Sequence, residues 1–334
     1  MTGAAIVSPG YPAIPGGVTD HTARLVRHWS VSGPVPVFSE RAGDAPAIVE
    51  RWHRDGLRAV LLQYVPFLYG RRGLSRFPEQ VAVAARARGL RCTVFVHEPW
   101  VPPTRLPWLV LSPLQRRQLF RLLARADGCV TAVPAWRTLL RDLPQLMYVG
   151  STLGPPPAPA APPLGAPVVF SPLAAGLNWD WILGAVRAIG TTPPLIVIGE
   201  SRERMAADRG VGHHADPAWD WRGRLPAPEA LGLLGRAPLV LAPFTDGITG
   251  RRTSALAALS TGARVITSTG PLYDPAFQGG PQAATSAEAF ATLAQGAWQT
   301  PDDAASRAAR RAWHDARFDA QTLDANLLRI VMGP

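Results

Sequence analysis

The chain contains no lysine; all 34 of its basic residues are arginine, a bias that reflects GC-rich codon usage as much as function. Against 24 acidic residues this leaves a net charge of +10, which favours anionic partners such as phosphorylated ligands, nucleic acid or an acidic membrane surface, without choosing among them. Cysteine is scarce as well. Cys92 and Cys129 lie in apolar runs without metal-ligand spacing, so two reduced core thiols in a cytoplasmic protein are expected, not a disulfide framework. No window approaches ~18 uninterrupted apolar residues, the length a membrane-spanning helix needs. The opening MTGAAIVSPGYPAIPGG lacks a basic region followed by a long apolar stretch, so no signal peptide is expected. The arginines are spread over loops and helices with no compact basic motif or basic-aromatic repeat, which argues against nucleic acid as the partner.

What is present is alternation. Short apolar runs near 4–7, 58–63, 91–96 and 129–133, and again near 168–171, 194–198, 238–242 and 263–267, are separated by longer amphipathic segments. That is the pattern of βα units around parallel sheets. Helices are predicted over 19–30, 179–189, 228–235 and 252–261; the first places Thr22, Leu25, Val26 and Trp29 on one stripe, with Thr19 as N-cap. A single core seldom grows beyond ~250–300 residues, so 334 residues with 47% apolar composition predict two domains. The proline-rich stretch GPPPAPAAPPLGAP, 154–167, can be neither helix nor central strand and reads as the linker. The expectation is an α/β chain of two Rossmann-like domains, 1–160 and 161–334. A terminal helical stripe of Trp313, Phe318, Leu323 and Leu327 either finishes the second domain or crosses back onto the first.

In such folds ligands meet the carboxyl ends of the strands, where helix N-termini offer amide donors. Four strand-end loops are chemically unusual. The loop after the first strand ends in Gly16 and Gly17, which let the backbone approach an anion or simply make a tight turn. His97 and Glu98 directly follow a β-rich run; a histidine there can bond a substrate hydroxyl, move a proton, or be satisfied by its own loop. After the second strand, Tyr64, Tyr69, Arg71, Arg72 and Arg76 could stack on and pair with an anionic or sugar-like acceptor, or form a solvated face. In PFTDGITGRRTSALAALSTGARVIT, free amides, Thr253, Ser254, Arg251 and Arg252 converge on one helix start, as a diphosphate would require. Basic residues in a first turn oppose the helix dipole, and an anion there explains them better than stability does.

That last stretch, with PGYPAIPGGVTDHTARL, FVHEPW and RADGCVTAVPAWRTLL, resembles the family-four-type glycosyltransferases of the GT-B fold, in the family's order over roughly residues 4 to 270. The resemblance implies two Rossmann-like domains facing across a cleft. It implies a nucleotide-sugar donor, UDP- or GDP-linked, held mainly by the second domain, a glycan or lipid-linked acceptor held by the first, and transfer of a hexose between them with retention. By the same resemblance Gly16 and Gly17 face the donor diphosphate, and Gly247, Thr249, Gly250, Arg251, Arg252, Thr253 and Ser254 hold the donor. His97 and Asp246 are then the catalytic residues beside the sugar, and Tyr64, Tyr69, Arg71 and Arg72 meet the acceptor. No cofactor beyond this co-substrate and no metal is expected, since the sequence has no Asp-x-Asp pair of the cation-holding kind.

The sequence also departs from the family. Many members carry two glutamates eight residues apart, and here those positions are Thr249 and Ala257. A basic pair usual near the start of the second domain is missing from FSPLAAGLNWDW, with Arg251 and Arg252 as substitutes for its charge. These departures point to a divergent member, or to a protein that binds nucleotide or sugar without transferring it. The expected location is cytoplasmic, at most peripheral on the inner membrane face. LSPLQRRQLFRLLARADG sets Arg116, Arg117, Arg121 and Arg125 beside Leu119, Phe120, Leu122 and Leu123, either as an interfacial helix against anionic lipid or as a core helix with a solvated arginine face.

Overall fold

A parallel strand covered by helices on both faces has no polar side, so it appears in sequence as a continuous apolar run. In the computed structural model, which describes residues 3–14, 16–157, 162–171, 176–190, 195–208 and 210–333, the predicted runs become such strands. The first half runs β1 (Ala4–Val7), α1 (Gly17–Trp29), β2 (Val37–Phe38), α2 (Ala45–Arg54), β3 (Ala59–Tyr64), α3 (Pro66–Tyr69), α4 (Phe77–Ala87), β4 (Arg91–Val96), α5 (Leu106–Leu123), β5 (Gly128–Thr131), α6 (Pro134–Leu139) and β6 (Gln145–Leu146). The second runs β7 (Val168–Phe170), α7 (Trp179–Ile189), β8 (Ile196–Ile198), α8 (Arg202–Ala207), β9 (Asp220–Gly223), α9 (Ala227–Arg236), β10 (Val240–Ala242), α10 (Thr253–Ser260), β11 (Val265–Ser268), β12 (Gln282–Ala284), α11 (Ala287–Gln299), α12 (Ala304–Phe318) and α13 (Ala320–Met332).

Two six-stranded sheets result, ordered β2-β1-β3-β4-β5-β6 and β12-β11-β10-β7-β8-β9, with every pairing parallel. Each order reverses direction once, between β1 and β3 in the first sheet and between β7 and β10 in the second. Those reversals are where open α/β sheets hold ligands. The edge strands β2, β6, β9 and β12 escape the sequence reading because two to four partly exposed residues leave no apolar run.

The chain divides into a unit of 1–149 with 321–334 and a unit of 150–320. The boundary expected at 160 therefore falls ten residues earlier, and the chain end belongs with the first unit, not the second. The physical cause is the terminal stripe, which is two helices broken at Asp319. Phe318 of α12 stacks on Phe277, with Trp313 against both, inside the second unit. Leu323, Leu327 and Val331 of α13 pack with Ala4, Ile6, Leu25, Leu61, Phe95 and Val130 in the first. Burying these three side chains contributes roughly 5–9 kcal/mol before entropy is counted. On the opposite face of the first sheet, Trp52, Phe77, Val81, Leu119 and Leu122 from α2, α4 and α5 form the other core.

Several local expectations change. Helix α1 begins two residues early, with Gly16 as N-cap, and Thr19 instead donates its hydroxyl to the Ile14 carbonyl at 2.6 Å, closing the loop before the helix. Of the proline-rich stretch 154–167, residues 158–161 lie outside those described, as do 172–175 of FSPLAAGLNWDW and Pro194 of the predicted strand 194–198. Leu119, Leu122 and Leu123 are core residues; the exposed apolar side chains of α5 lie earlier, at Leu106, Leu109, Val110 and Leu114. Cys92 and Cys129 are buried and unbridged, and burial pushes the Cys129 thiol up to about 12, which keeps it unreactive. No described helix is long and apolar enough to cross a membrane.

Candidate functional site

In the first unit the site is assembled from the ends of β1, β3 and β4. Ser8, just past β1, shares a 2.9 Å hydroxyl contact with Thr22 of α1, which fixes the loop against the helix it precedes. Gly16 has extended backbone, and a Cβ placed on Gly16 or Gly17 would meet no atom within 4 Å. Neither packing nor conformation therefore demands glycine at either position, although the pair does form the start of α1.

His97 follows β4 directly, and its backbone N–H is held 2.9 Å from the Tyr64 carbonyl. Its ring stacks on Phe95 at 4.4 Å and meets His21 of α1 edge-on at 5.5 Å. His97 Nε2 sits 2.5 Å from the Gln63 side-chain oxygen in a buried contact. Burial, then the Arg24 charge, then His97 hold the pKa of His21 well below the usual histidine value, so this neighbour is neutral. Sequence reasoning found His97 but not Gln63 or His21. Gln63 sits inside an apolar strand, and His21 is on a helix that precedes its partner by 76 positions.

The acceptor assignment needs correction. Tyr64 and Tyr69 are inside the core, stacked on each other at 6.1 Å. The Tyr69 hydroxyl donates to the Gln63 carbonyl at 2.8 Å, and the Tyr64 hydroxyl accepts from Gln118 at 3.2 Å. Burial raises the pKa of both phenols. The rings are therefore packing elements: Tyr64 ends β3, which is covered on both faces, and Tyr69 folds back from α3 onto the Gln63 carbonyl. Arg71 and Arg72 are exposed in the turn between α3 and α4, where Gln115 of α5 bonds the Arg72 carbonyl at 3.1 Å.

In the second unit the loop between β10 and α10 stands at the sheet's reversal. Thr245 N–H bonds the Gly176 carbonyl at 3.2 Å and Asn178 N–H bonds the Pro243 carbonyl at 2.8 Å, joining this loop to the approach to α7. The segment after β11 clamps its other side. Ser268 donates to the Phe244 carbonyl at 2.5 Å, Leu272 N–H to Asp246 at 2.9 Å and Asp274 N–H to Ile248 at 3.0 Å. Gly247 has φ +89 and a Cβ there would lie 3.0 Å from Gly270 N; a Cβ on Gly270 would lie 2.5 Å from the Asp246 carbonyl carbon. Two backbones cross here with no room for side chains, which requires glycine at both positions. Gly270 was missed in sequence because a lone Ser-Thr-Gly is common at strand ends.

The charged residues of this loop form one cluster. Asp246 accepts from Arg251 at 2.5 Å through one carboxylate oxygen and from Arg252 through the other, and Arg252 also lies over the Phe244 ring at 4.6 Å. The helix begins at Thr253, not Arg251, with Arg252 at the N-cap. Asp246 thus supplies the counter-charge that removes the conflict between two arginines and a helix N-terminus, and no external anion is needed to explain it. The cluster keeps a net charge of +1 beside the helix amides, with the half-buried hydroxyl residues Thr253 and Ser254 in the first turn. Thr249 is fully buried and its hydroxyl has no hydrogen-bond partner, so it lies behind the loop surface and not on it. Gly250 is buried too. Ala257 is fully buried in α10, whose residues 255–260 are all core.

No protein-family model and no curated sequence matches the chain. Solved structures do. Sucrose-phosphate synthase from Thermosynechococcus elongatus superposes with a TM-score of 0.70 at 16% identity, covering 97% of this chain and 96% of that one. HepE from Anabaena, solved in complex with UDP, gives 0.65 at 15% identity, with 97% of each chain covered. WaaG, a glycosyltransferase involved in lipopolysaccharide biosynthesis, gives 0.57 at 12% identity, covering 99% of this chain and all of that one. The fold is that of the GT-B glycosyltransferases. In this GT-B chain the two groups of residues described above stand at the carboxyl ends of the two sheets.

Proposed function

We propose that the chain is a glycosyltransferase that moves a hexose from a UDP- or GDP-linked sugar to a glycan or lipid-linked acceptor, with retention of configuration. The observation that carries this reading is the net charge of +1 that Arg251 and Arg252 keep after pairing with Asp246, beside the N-terminus of α10 on the reversal of the second sheet. In the reaction the bond from the anomeric carbon to the diphosphate oxygen breaks and one to the acceptor oxygen forms. The acceptor hydroxyl loses its proton, and negative charge grows on the diphosphate. Two guanidinium groups held by Asp246, the helix amides and the hydroxyls of Thr253 and Ser254 answer that charge, which is electrostatic catalysis by protein donors rather than by a bound cation. HepE, whose structure contains UDP, supports a nucleoside diphosphate as the ligand. The second unit then serves the donor, and the first serves the acceptor, with Gly16 and Gly17 toward the donor diphosphate and His97 beside the sugar.

Titration with UDP, GDP and ADP tests the donor site. Binding of at least one is expected, weakened about tenfold or more in Arg251→Ala and Arg252→Ala, since a hydrogen bond between charged groups contributes ~1.5–3 kcal/mol. No binding, or binding indifferent to both variants, defeats the reading. Proton NMR of the product anomer checks retention.

Ala257 favours a second reading, a GT-B protein that binds nucleotide or sugar without transfer, because a buried alanine cannot hold a ribose hydroxyl. Slow donor hydrolysis without acceptor, abolished by His97→Ala, would rule it out. A lipid-linked acceptor is supported by α5, where Leu106 is 82% and Val110 63% exposed beside the exposed Arg105, Arg116 and Arg117. Sedimentation with anionic vesicles is expected to carry the protein down; failure to do so removes membrane contact and disfavours lipid acceptors.

A further inference from the structure

Apart from the cluster around Asp246, the second unit brings together Asp180, His213 and His214. Asp180 lies in the first turn of α7, and the two histidines form a 3₁₀ turn, Gly212–His214, between α8 and β9. Three features fix their meeting. Gly212 has no room for a side chain, since a Cβ there would lie 2.5 Å from the Ala206 carbonyl oxygen, so the turn is seated directly on the end of α8. His214 N–H bonds the Val211 carbonyl at 3.0 Å, and the His214 carbonyl accepts from Asp216 N–H at 2.7 Å. Trp179, next to Asp180, stacks at 5.8 Å on Trp219, five residues beyond His214, and both indoles are buried. The two segments that carry the side chains are thus clamped together by an aromatic pair immediately behind them.

Within this frame His214 Nε2 lies 3.7 Å from an Asp180 carboxylate oxygen, and one potential ligand atom from each of the three residues lies within 4.8 Å of the other two. Two ligand atoms each about 2.1 Å from one zinc-sized ion sit ~3.4 Å apart at the tetrahedral angle and at most ~4.2 Å apart. The Asp180–His214 pair already falls in that range. For a tetrahedral shell the widest separation, up to 4.8 Å, has to close by ~1.4 Å, and His213 is exposed and can supply that movement by turning about its side-chain torsions. His214 is 93% buried by side-chain packing, and its Nδ1 has no hydrogen-bond partner. At 3.7 Å the His214–Asp180 pair is within ion-pair range but too long for a hydrogen bond.

We propose that Asp180, His213 and His214 form a binding site for a divalent transition metal of the zinc class, with water completing a four-coordinate shell. Two imidazoles and one carboxylate are a borderline donor set, suited to zinc and cobalt and poor for magnesium or calcium, which take oxygen ligands. The site does not rest on the nucleotide reading. No phosphate contact enters it, and none of its residues belongs to the Asp246 cluster.

Tag-free full-length protein, stripped with chelator, is titrated with Co²⁺ and followed by its visible d–d absorption, which is strong only in tetrahedral coordination. Zn²⁺ is then added as competitor. One equivalent of Co²⁺ is expected to bind with a tetrahedral spectrum and to be displaced by Zn²⁺. Asp180→Asn and His213→Ala alter exposed side chains and preserve the fold; each is expected to weaken binding tenfold or more and abolish the tetrahedral band. Absence of binding, or a spectrum unchanged in both variants, overturns the proposal.

Discussion

Arg24 and Asp324 meet in a buried ion pair across 300 residues of sequence, with Arg24 Nε 2.9 Å from one carboxylate oxygen and Nη2 2.6 Å from the other. The same guanidinium donates to the Val149 carbonyl, and Trp29 Nε1 donates to the Asp324 carbonyl at 3.1 Å. One point thus ties α1, α13 and the last residue of the first unit's main stretch. Removing one partner of such a pair leaves a buried charge uncompensated, at a cost of ~3–5 kcal/mol. Asp324→Ala is expected to lower the stability of the first unit by about that much in urea unfolding, whereas Arg24→Met with Asp324→Leu restores most of it. A single-variant loss below ~1 kcal/mol would mean that α13 is held by its apolar face alone.

Gly17 is helical and has open space where a side chain would stand. Alanine is the better helix former by up to ~1 kcal/mol, so Gly17→Ala should leave the melting temperature unchanged or raise it. If the backbone is there to approach a diphosphate, the same methyl group weakens UDP binding. Stability up with affinity down is the expected pair of results. Unchanged affinity would return the glycine pair to being a turn with no ligand role.

Most of the fold was legible because it rests on continuous apolar runs, which a doubly covered parallel strand must have. The edges β2 and β12 were not, since strands of two or three residues with one covered side leave no period to detect. The terminal stripe was legible as helix but not as two helices, because the break at Asp319 involves neither glycine nor proline, and its two halves serve different cores. In the site, residue types were readable and partners were not. Asp246 was legible as a polar loop residue, but nothing in the sequence says that Arg251 and Arg252, five and six positions on, turn back to its carboxylate. Tyr64 and Tyr69 looked like a platform because loop aromatics often are, and only the packing of β3 against α4 and α5 shows them to be core.

Acid should destabilise the chain before its carboxylates titrate. His21 and His314 both have folded-state pKa values below the ordinary 6.5, in each case chiefly through burial. Above about pH 7.5 both rings are neutral whether folded or unfolded and add almost no slope. Below it, the unfolded chain takes up protons that the folded chain refuses, so stability falls as pH falls, by at most ~1.4 kcal/mol per pH unit for each ring. Urea midpoints between about pH 7.5 and 5 should therefore decline, and His21→Phe should flatten the decline even if it shifts the whole curve. An equal slope in that variant would assign the effect to other groups.

Asp246 decides how the arginine cluster carries charge. With its carboxylate between two guanidinium groups, each exposed by about a fifth, the cluster has a net charge of +1; Asp246→Asn makes it +2 and frees two donors. At this partial exposure one added unit of charge near a diphosphate contributes on the order of 1 kcal/mol, screened by salt. UDP is accordingly expected to bind Asp246→Asn several-fold more tightly at low ionic strength, with the advantage disappearing at high salt. Donor hydrolysis should nevertheless slow if the carboxylate meets the sugar. Should affinity instead drop as far as in Arg251→Ala, the carboxylate's part is to aim the guanidinium groups, and the gain from charge is smaller than the loss from their disorder.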